Sequence, residues 1–436
     1  MSTPPSYLIL GSGVFGASTA LHLIRRHPSA SITLVDRDAY TASARVAASW
    51  DWNKVIRADY EDLTYTELAL EAQRLWRADP IWRPYYHQSG VVWITRGTSF
   101  AKHVRDNHAA LGVEEADLGV YGVQEARELY GGLFEGAGYA GIGEVLVNRG
   151  SGWAEAKEAL QKTIEEAVGL GVGYVVAEVE KVKFQETGGR RRATGVVTAD
   201  GREMLADRVV LCTGAYTAKL LVDSAPDWTE LHAGERILAC GVTEATAPVS
   251  EAEKPGLNTM PVGISENPVD RGEDVGCLPL PGLGALKCWG QIHLNNTVAH
   301  PITKQLMSIP PMQRDYAQWE VSPALQDDVH WALRSLFGDE KASSKKMENY
   351  RICWDAWTPT GDFIISPHSA CDGLFVATCG SFHGFKFLPV IGKYVVQMLF
   401  GELDPALYER WAWDRERPSI GIDGKGARRE LKDFPL

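Results

Sequence analysis

This chain lacks the usual marks of a stapled, anchored or metal-caged protein. Its seven cysteines (Cys212, Cys240, Cys277, Cys288, Cys353, Cys371 and Cys379) include no CxxC pair and no cluster with metal-ligand spacing, and their number is odd. That excludes a disulfide-framed secreted fold and fits a reducing compartment. No apolar stretch approaches the length that crosses a bilayer. No basic region precedes the first apolar run, so no secretory signal is read. The last four residues, Asp433-Phe434-Pro435-Leu436, are not a peroxisomal address of the Ser-Lys-Leu type. Positive charge is also short: 44 Lys and Arg stand against 56 Asp and Glu, a net charge of -12. Nucleic acid and anionic membranes are therefore excluded as main partners, since both want a basic surface. A small anionic substrate in a locally basic pocket is not. Repeats and low-complexity tracts are missing as well. The expectation is a soluble, cytoplasmic, monomeric protein.

What is present is ordinary globular composition, 45% hydrophobic and 23% charged, over 436 residues. That length predicts two domains meeting at an interface, a common place for cofactor sites. The first forty residues read as a βαβ unit. Tyr7–Leu10 is an apolar strand, Ala17–Arg26 an amphipathic helix and Ser31–Val35 a second strand ending at Asp36. Further on, the pattern predicts a helix over Leu63–Trp76, a strand at Val91–Thr95, a helix over Ala154–Val168 and a strand at Gly173–Ala177. A hairpin pairs Val179–Phe184 with Ala193–Thr198 across Gly188-Gly189-Arg190-Arg191. Val209–Leu211 and Leu374–Thr378 read as buried strands and Pro389–Phe400 as an apolar helix. Thr243–Gly256, rich in Ala, Glu, Thr and Pro, reads as an exposed loop.

Gly11-Ser12-Gly13-Val14-Phe15-Gly16 joins the first strand to the first helix, and Asp36 follows the last glycine by about twenty residues. In that setting Gly11 permits a tight turn, Gly13 lets backbone approach a pyrophosphate, and Gly16 lets helix pack on strand. The helix N-terminus offers amides and positive dipole to phosphate. Asp36 would accept from the adenosine ribose, which disfavours the 2′-phosphate of NADP. A glycine-rich turn without a nucleotide is the alternative. Val209-Val210-Leu211-Cys212-Thr213-Gly214-Ala215, coming after a hairpin, is how many FAD enzymes rebuild their nucleotide domain. Alone it is any buried strand with a turn.

Near the C-terminus Arg351-Ile352-Cys353-Trp354-Asp355-Ala356-Trp357 is followed by Asp362-Phe363-Ile364-Ile365 and Gly380-Ser381-Phe382-His383-Gly384-Phe385-Lys386-Phe387. Together with Asn53-Lys54-Val55-Ile56-Arg57, Pro84-Tyr85-Tyr86-His87 and Ser151-Gly152-Trp153-Ala154, these segments resemble the monomeric sarcosine oxidase group of FAD-dependent amine oxidases. That group includes fructosyl amino acid oxidases (amadoriases) and the pipecolate and saccharopine oxidases. The resemblance spans nearly the whole chain. It implies an α/β (α+β) fold: a discontinuous Rossmann-like FAD-binding domain of the glutathione-reductase/D-amino-acid-oxidase type, with a β-sheet-containing substrate domain. The expected boundaries are 1–62, 150–222 and 350–400 for FAD, 63–149 and 223–349 for substrate, and 401–436 as a surface tail.

The resemblance also implies roles. Cys353 matches the cysteine that forms a thioether to the FAD 8α-methyl, a linkage that tethers the cofactor and tunes its potential. A buried free cysteine is the bland alternative. Lys386 and Arg57 match two cations that hold the substrate carboxylate, against the alternative of surface ion pairs. Lys287, in Gly284-Ala285-Leu286-Lys287-Cys288-Trp289, resembles the lysine near flavin N5 that assists reduction of molecular oxygen. A lysine at a solvated strand edge is the alternative. His383 would lie against the flavin edge as a hydrogen-bond donor, or merely pack. Val14, Phe15, Arg37, Val179, Gly214, Gly384 and Phe385 complete the expected cofactor contacts.

Amadoriases carry an arginine in place of His383, lack an arginine at Arg57, and carry an acid shortly after the lysine matching Lys287, where this chain reads Trp289-Gly290-Gln291-Ile292. Trp50, Trp52 and Trp354 are candidates for an aromatic pocket. The expected activity is hydride removal from the carbon beside a secondary amine nitrogen in a carboxylate-bearing substrate, giving imine and hydrogen peroxide. No side-chain base is required if the amine binds neutral. A deglycating fructosyl amino acid oxidase and a flavin- or NAD-binding sensor without turnover are the alternatives.

Overall fold

A computed structural model describes residues 5–95, 98–113, 117–266, 274–416 and 428–436. The fold is mixed α/β and is built on two large sheets. The first has six strands in the order Ile364–Pro367, Leu374–Thr378, Arg208–Leu211, Tyr7–Leu10, Ile32–Asp36, Gly173–Val176. All neighbours run parallel except Ile364–Pro367, which returns antiparallel beside Leu374–Thr378. Its strands are short apolar runs because both faces are covered. Helices Val14–Arg26, Ala156–Gly169 and Ile391–Phe400 pack with Ile9, Leu34 and Val210 in one core cluster, while the Val179–Thr198 hairpin lies toward the other.

The second sheet follows the order Glu348–Trp357, Leu238–Pro248, Ala285–Asn295, Asp274–Leu280, Val262–Glu266, Val91–Ile94, Glu144–Asn148, Leu118–Gly122, with Arg429–Glu430 added beside Ala285–Asn295. Helix Pro323–Ser343 buries Val329, Leu333 and Leu336 with Val275, Leu286 and Ala245 of this sheet. The strand bearing Cys353 hydrogen-bonds into this second sheet, pairing Val242 with Cys353. A small third sheet sets Asn53–Ile56 and Tyr86–His87 against Gly152–Glu155.

Several expectations need correction. The expected loop Thr243–Gly256 begins inside an eleven-residue strand, Leu238–Pro248, and only then turns to the short helix Lys254–Leu257. Its small residues let it lie between two neighbours. Ala245 and Ala247 face the core, while Thr243, Glu244 and Thr246 are buried, Glu244 ion-paired with Lys287 and Thr246 donating to the Glu348 carbonyl. The predicted helix over Ala154–Val168 starts at Ala156, because Gly152–Glu155 is claimed as a strand by its two partners. The hairpin is longer than expected, Val179–Thr187 and Arg190–Thr198. The C-terminal residues are not simply a surface tail. Trp411 and Trp413 are fully buried, and Leu431 and Phe434 join a core cluster. The part of that tail at 417–427 lies outside the described residues.

Candidate active site

Two adjoining cavities lie where the sheets meet, and they share Val14, Ala48, Ser49, Asp355 and Gly380 as walls. The first sits at the C-terminal ends of the parallel strands, the usual ligand position in an open α/β sheet. Gly11, Gly13, Val14, Phe15, Asp36, Arg37, Val179 and Gly214 all line it. The glycines are needed sterically. Gly11 has φ +92°, and a Cβ there would lie 2.5 Å from the Cys212 carbonyl oxygen. A Cβ on Gly16 would lie 1.8 Å from the Gly11 oxygen, so Gly16 acts in packing and does not line the cavity. Asp36 is oriented by the Ser12 amide at 2.7 Å and hydroxyl at 2.9 Å, and by Arg45 at 2.9 Å. Three buried groups on this wall, Gln318 Nε2, Trp354 Nε1 and Thr378 Oγ1, have no protein partner. A cradle shaped by backbone, with polar atoms of its wall residues left without a protein partner, fits a dinucleotide.

The second cavity, about 720 Å³, is lined by Arg57, Lys287, Cys353, His383, Gly384, Phe385 and Lys386. Every residue expected to touch substrate or the reactive end of a flavin is thus brought to one chamber. Of the seven free cysteines, only Cys353 lines it. Trp354 lines the first cavity, whereas Trp50 is core and Trp52 lines neither.

Lys287 is not at a solvated edge: it is buried in a central strand, donating to Asp51 and, at 3.1 Å, to the Asn53 carbonyl. Glu244 Oε1 lies 3.0 Å from it. Lys54 Nζ reaches Asp51 at 2.7 Å and Glu244 at 3.4 Å, and Arg351 reaches Glu244 at 3.3 Å. Burial alone would raise the Asp51 carboxyl, but Lys287, Lys54 and Arg351 hold it well below the usual carboxylate range. Three cations face two carboxylates, so the cluster carries one net positive charge. Beside it, burial pushes the Cys353 thiol up, while the Lys54 ammonium, 3.9 Å from the sulfur, pulls the other way.

Lys386 is buried and donates to Tyr60 Oη and to the His383 carbonyl, both at 2.8 Å. Arg57 stacks on the ring of the same Tyr60, 4.6 Å from its centroid, and donates to the Asp59 carbonyl. The carboxylates nearest these cations are engaged. Asp59 accepts from Trp93 and Asn148, and Asp62 from Arg410 and the Tyr65 amide. His383 stacks on Phe363 at 5.0 Å.

Between the cavities the backbone is strained. Cys379, Ser381 and Phe382 have φ of 70°, 46° and 62° around Gly380, conformations that cost side chains energy and concentrate at functional sites. Asp355 holds this turn by accepting from the Phe382 amide at 2.8 Å.

Sequence reading passed over Asp51, Lys54, Tyr60, Glu244, Arg351 and Asp355. Lys54 sits inside the quoted Asn53–Arg57 segment, and Arg351 and Asp355 inside the quoted Arg351–Trp357 segment, so membership of a motif was their only signal. Glu244 was hidden in the expected loop.

Residues 6–398 match the model of a family described as FAD dependent oxidoreductase. The chain is similar to the L-saccharopine oxidase of Schizosaccharomyces pombe, 27% identical over 93% of this chain and 92% of that protein. It is also similar to the amino acid oxidase imqH of Aspergillus flavus, 28% identical over 92% and 93%. Among solved structures, the fructosamine oxidase Amadoriase II of Aspergillus fumigatus superposes with a TM-score of 0.80 at 24% identity, covering 100% of this chain and 97% of that one. A modified fructosyl peptide oxidase from Aspergillus nidulans gives 0.82 at 23% identity, with both chains covered at 100%. At these identities the structural likeness speaks for the fold.

Proposed function

The chain belongs to the FAD dependent oxidoreductase family, and from that premise we propose that it oxidises the C–N bond of a carboxylate-bearing secondary amine to an imine, with oxygen as acceptor and hydrogen peroxide as product. The observation that carries this reading is one chamber lined both by Lys386 and Arg57, which pack on a single tyrosine, and by Lys287 and Lys54 of the buried cationic cluster with Cys353.

In this reading the nucleotide lies in the glycine-lined cavity, with the segments around 1–62, 150–222 and 350–400 contributing to its site and the second sheet to the substrate side. Bound FAD supplies the hydride acceptor. Lys386 and Arg57 grip the carboxylate, and the bidentate reach of Arg57 orients the carbon beside the nitrogen. Phe385, Trp93 and Trp357 wall off water. Lys287 acts within the cluster of net charge +1, which favours the negative charge that develops as oxygen is reduced. Cys353 is the tether to the cofactor. The relatives named as saccharopine and amino acid oxidases support an amino-acid-like amine. The free, buried cysteines support an intracellular setting. Among the described residues no helix is long and apolar enough to cross a membrane.

The test is anaerobic mixing of the yellow protein with sarcosine, pipecolate, saccharopine and fructosyl-valine, followed by readmission of air. Bleaching by a carboxylate-bearing secondary amine, then one peroxide per amine oxidised, is expected. Turnover of fructosyl-valine alone would make the protein a deglycating oxidase. A flavin that no amine bleaches would make it a non-catalytic binder.

A further inference from the structure

We propose that Tyr60 and His383 form the path that takes the ammonium proton from the bound amine, with Tyr60 as the group touching the nitrogen and His383 as the acceptor behind it. This deepens the amine-oxidase reading and rests on it. An amine can give up hydride from its neighbouring carbon only when the nitrogen lone pair is free, yet secondary amines arrive protonated near neutral pH. Unless that proton leaves to solvent before binding, a group in the chamber accepts it, and the two carboxylates that act on Tyr60, Asp59 and Asp62, are already engaged.

Hydrogen-bond valence fixes the direction of the chain. His383 Nε2 lies 2.9 Å from the Gly361 carbonyl, which only accepts, so Nε2 carries a hydrogen. In the neutral ring Nδ1 is then the acceptor, and its partner at 3.0 Å is Tyr60 Oη, which must donate. The same oxygen accepts from Lys386 at 2.8 Å. One lone pair of Tyr60 Oη remains, and Tyr60 lines the chamber. Burial raises the phenol above its ordinary value, so Tyr60 passes a proton on and does not ionise.

The transfer balances without any electron changing hands. The ammonium N–H breaks and a bond to Tyr60 Oη forms, while the original phenolic O–H breaks and a bond to His383 Nδ1 forms. The amine becomes neutral and His383 becomes an imidazolium that donates from both nitrogens. The surrounding charges make this conditional on substrate. Arg57 and Lys386 on one side oppose a further cation. Asp59 and Asp62 favour it, although Arg410 offsets Asp62 and Asp362, and the hydroxyl of Tyr65, packed 4.9 Å from the imidazole, is spent on Asp362. A substrate carboxylate on Lys386 removes the nearest opposing charge, so the path opens when the carboxylate is seated.

The experiment is the pH dependence of anaerobic flavin bleaching by pipecolate and by saccharopine, with flavin content checked in every variant. Tyr60→Phe and His383→Gln are each expected to move the pH of half-maximal bleaching upward by at least one unit, with rates falling about tenfold per unit below it. The double variant should move no further than either single one, because both cut the same path. A rate lowered equally at every pH, or two shifts that add, would overturn the path while leaving amine oxidation intact. If none of sarcosine, pipecolate, saccharopine and fructosyl-valine bleaches the unmodified holoenzyme, the amine-oxidase reading fails and the path with it. Should Tyr60→Phe not hold flavin, His383→Gln decides alone.

Discussion

Seven cysteines are buried in this chain, and Cys353 differs from the rest by its neighbours. An ammonium 3.9 Å from its sulfur offers the positive field that a thiolate nucleophile needs. Acid precipitation should leave the flavin with the protein pellet, and Cys353→Ala should send the colour into the supernatant. Colour retained by the variant would place the linkage on another residue. Lys386→Met should lower kcat/KM for a carboxylate-bearing amine about ten- to a hundredfold, the worth of one charge-assisted hydrogen bond of roughly 1.5–3 kcal/mol. With the same amine amidated the loss should be much smaller, and equal losses would assign Lys386 to the flavin. Cys353, Lys386 and Arg57 were legible because the quoted motifs contain them. Tyr60 and Asp51 were not, since a tyrosine in the stretch Ala58–Glu61 has no local pattern. Its meaning comes from Lys386 and His383, more than three hundred residues away.

Among the elements, the helix that opens the nucleotide cavity depends on another helix far along the chain. Helix Ile391–Phe400 crosses Val14–Arg26 at Gly392, where a Cβ would lie 2.1 Å from the Ser18 carbonyl oxygen and where the Gly392 amide donates to Ser18 Oγ at 2.9 Å. Gly392→Ala should therefore cost about 1–3 kcal/mol through forced separation. Thermal unfolding should fall by several degrees, and in a Cys353→Ala background, where FAD is exchangeable, FAD should bind more weakly because the helix N-terminus moves with the crossing. An unchanged FAD affinity would show that the strain is absorbed elsewhere. Helices and apolar strands of the parallel sheet were readable from periodicity because each buries a continuous stripe or run. Leu238–Pro248 was not, because Ala, Gly and Glu carry weak strand preference and Pro and Glu read as loop. Its state is decided by two strands that follow it in sequence, Ala285–Asn295 and Glu348–Trp357.

For the whole molecule, acid should loosen the fold through a group outside the chamber. His368 is buried against Trp413, its Nε2 bonded to the Leu231 carbonyl and its Nδ1 accepting from the Ala370 amide, so both nitrogens suit the neutral ring. Burial pushes its pKa down to about 4 from 6.5. The unfolded chain takes up that proton first as pH falls. The stability this neutral ring contributes is therefore complete above about 6.5 and is lost progressively between 6.5 and 4, roughly 3 kcal/mol in all. Equilibrium unfolding followed from pH 7 to 4 should show this slope, and His368→Gln, less stable at neutral pH, should flatten it. A parallel pH curve for the variant would assign the acid sensitivity to other groups. The buried charges of the second sheet bear on how the chain finds its fold. Glu244 stands directly opposite Arg351 on the neighbouring strand and meets Lys287 on the other side. A one-residue slip of Leu238–Pro248 would turn Glu244 into the apolar space of Ala245 and leave Lys287, Lys54 and Arg351 facing Asp51 alone. A run of small, forgettable residues could pair in many alignments with little to choose between them; three charges make every alignment but one intolerable. The cluster is thus a checksum on strand pairing, verified as the sheet assembles and before any cofactor arrives.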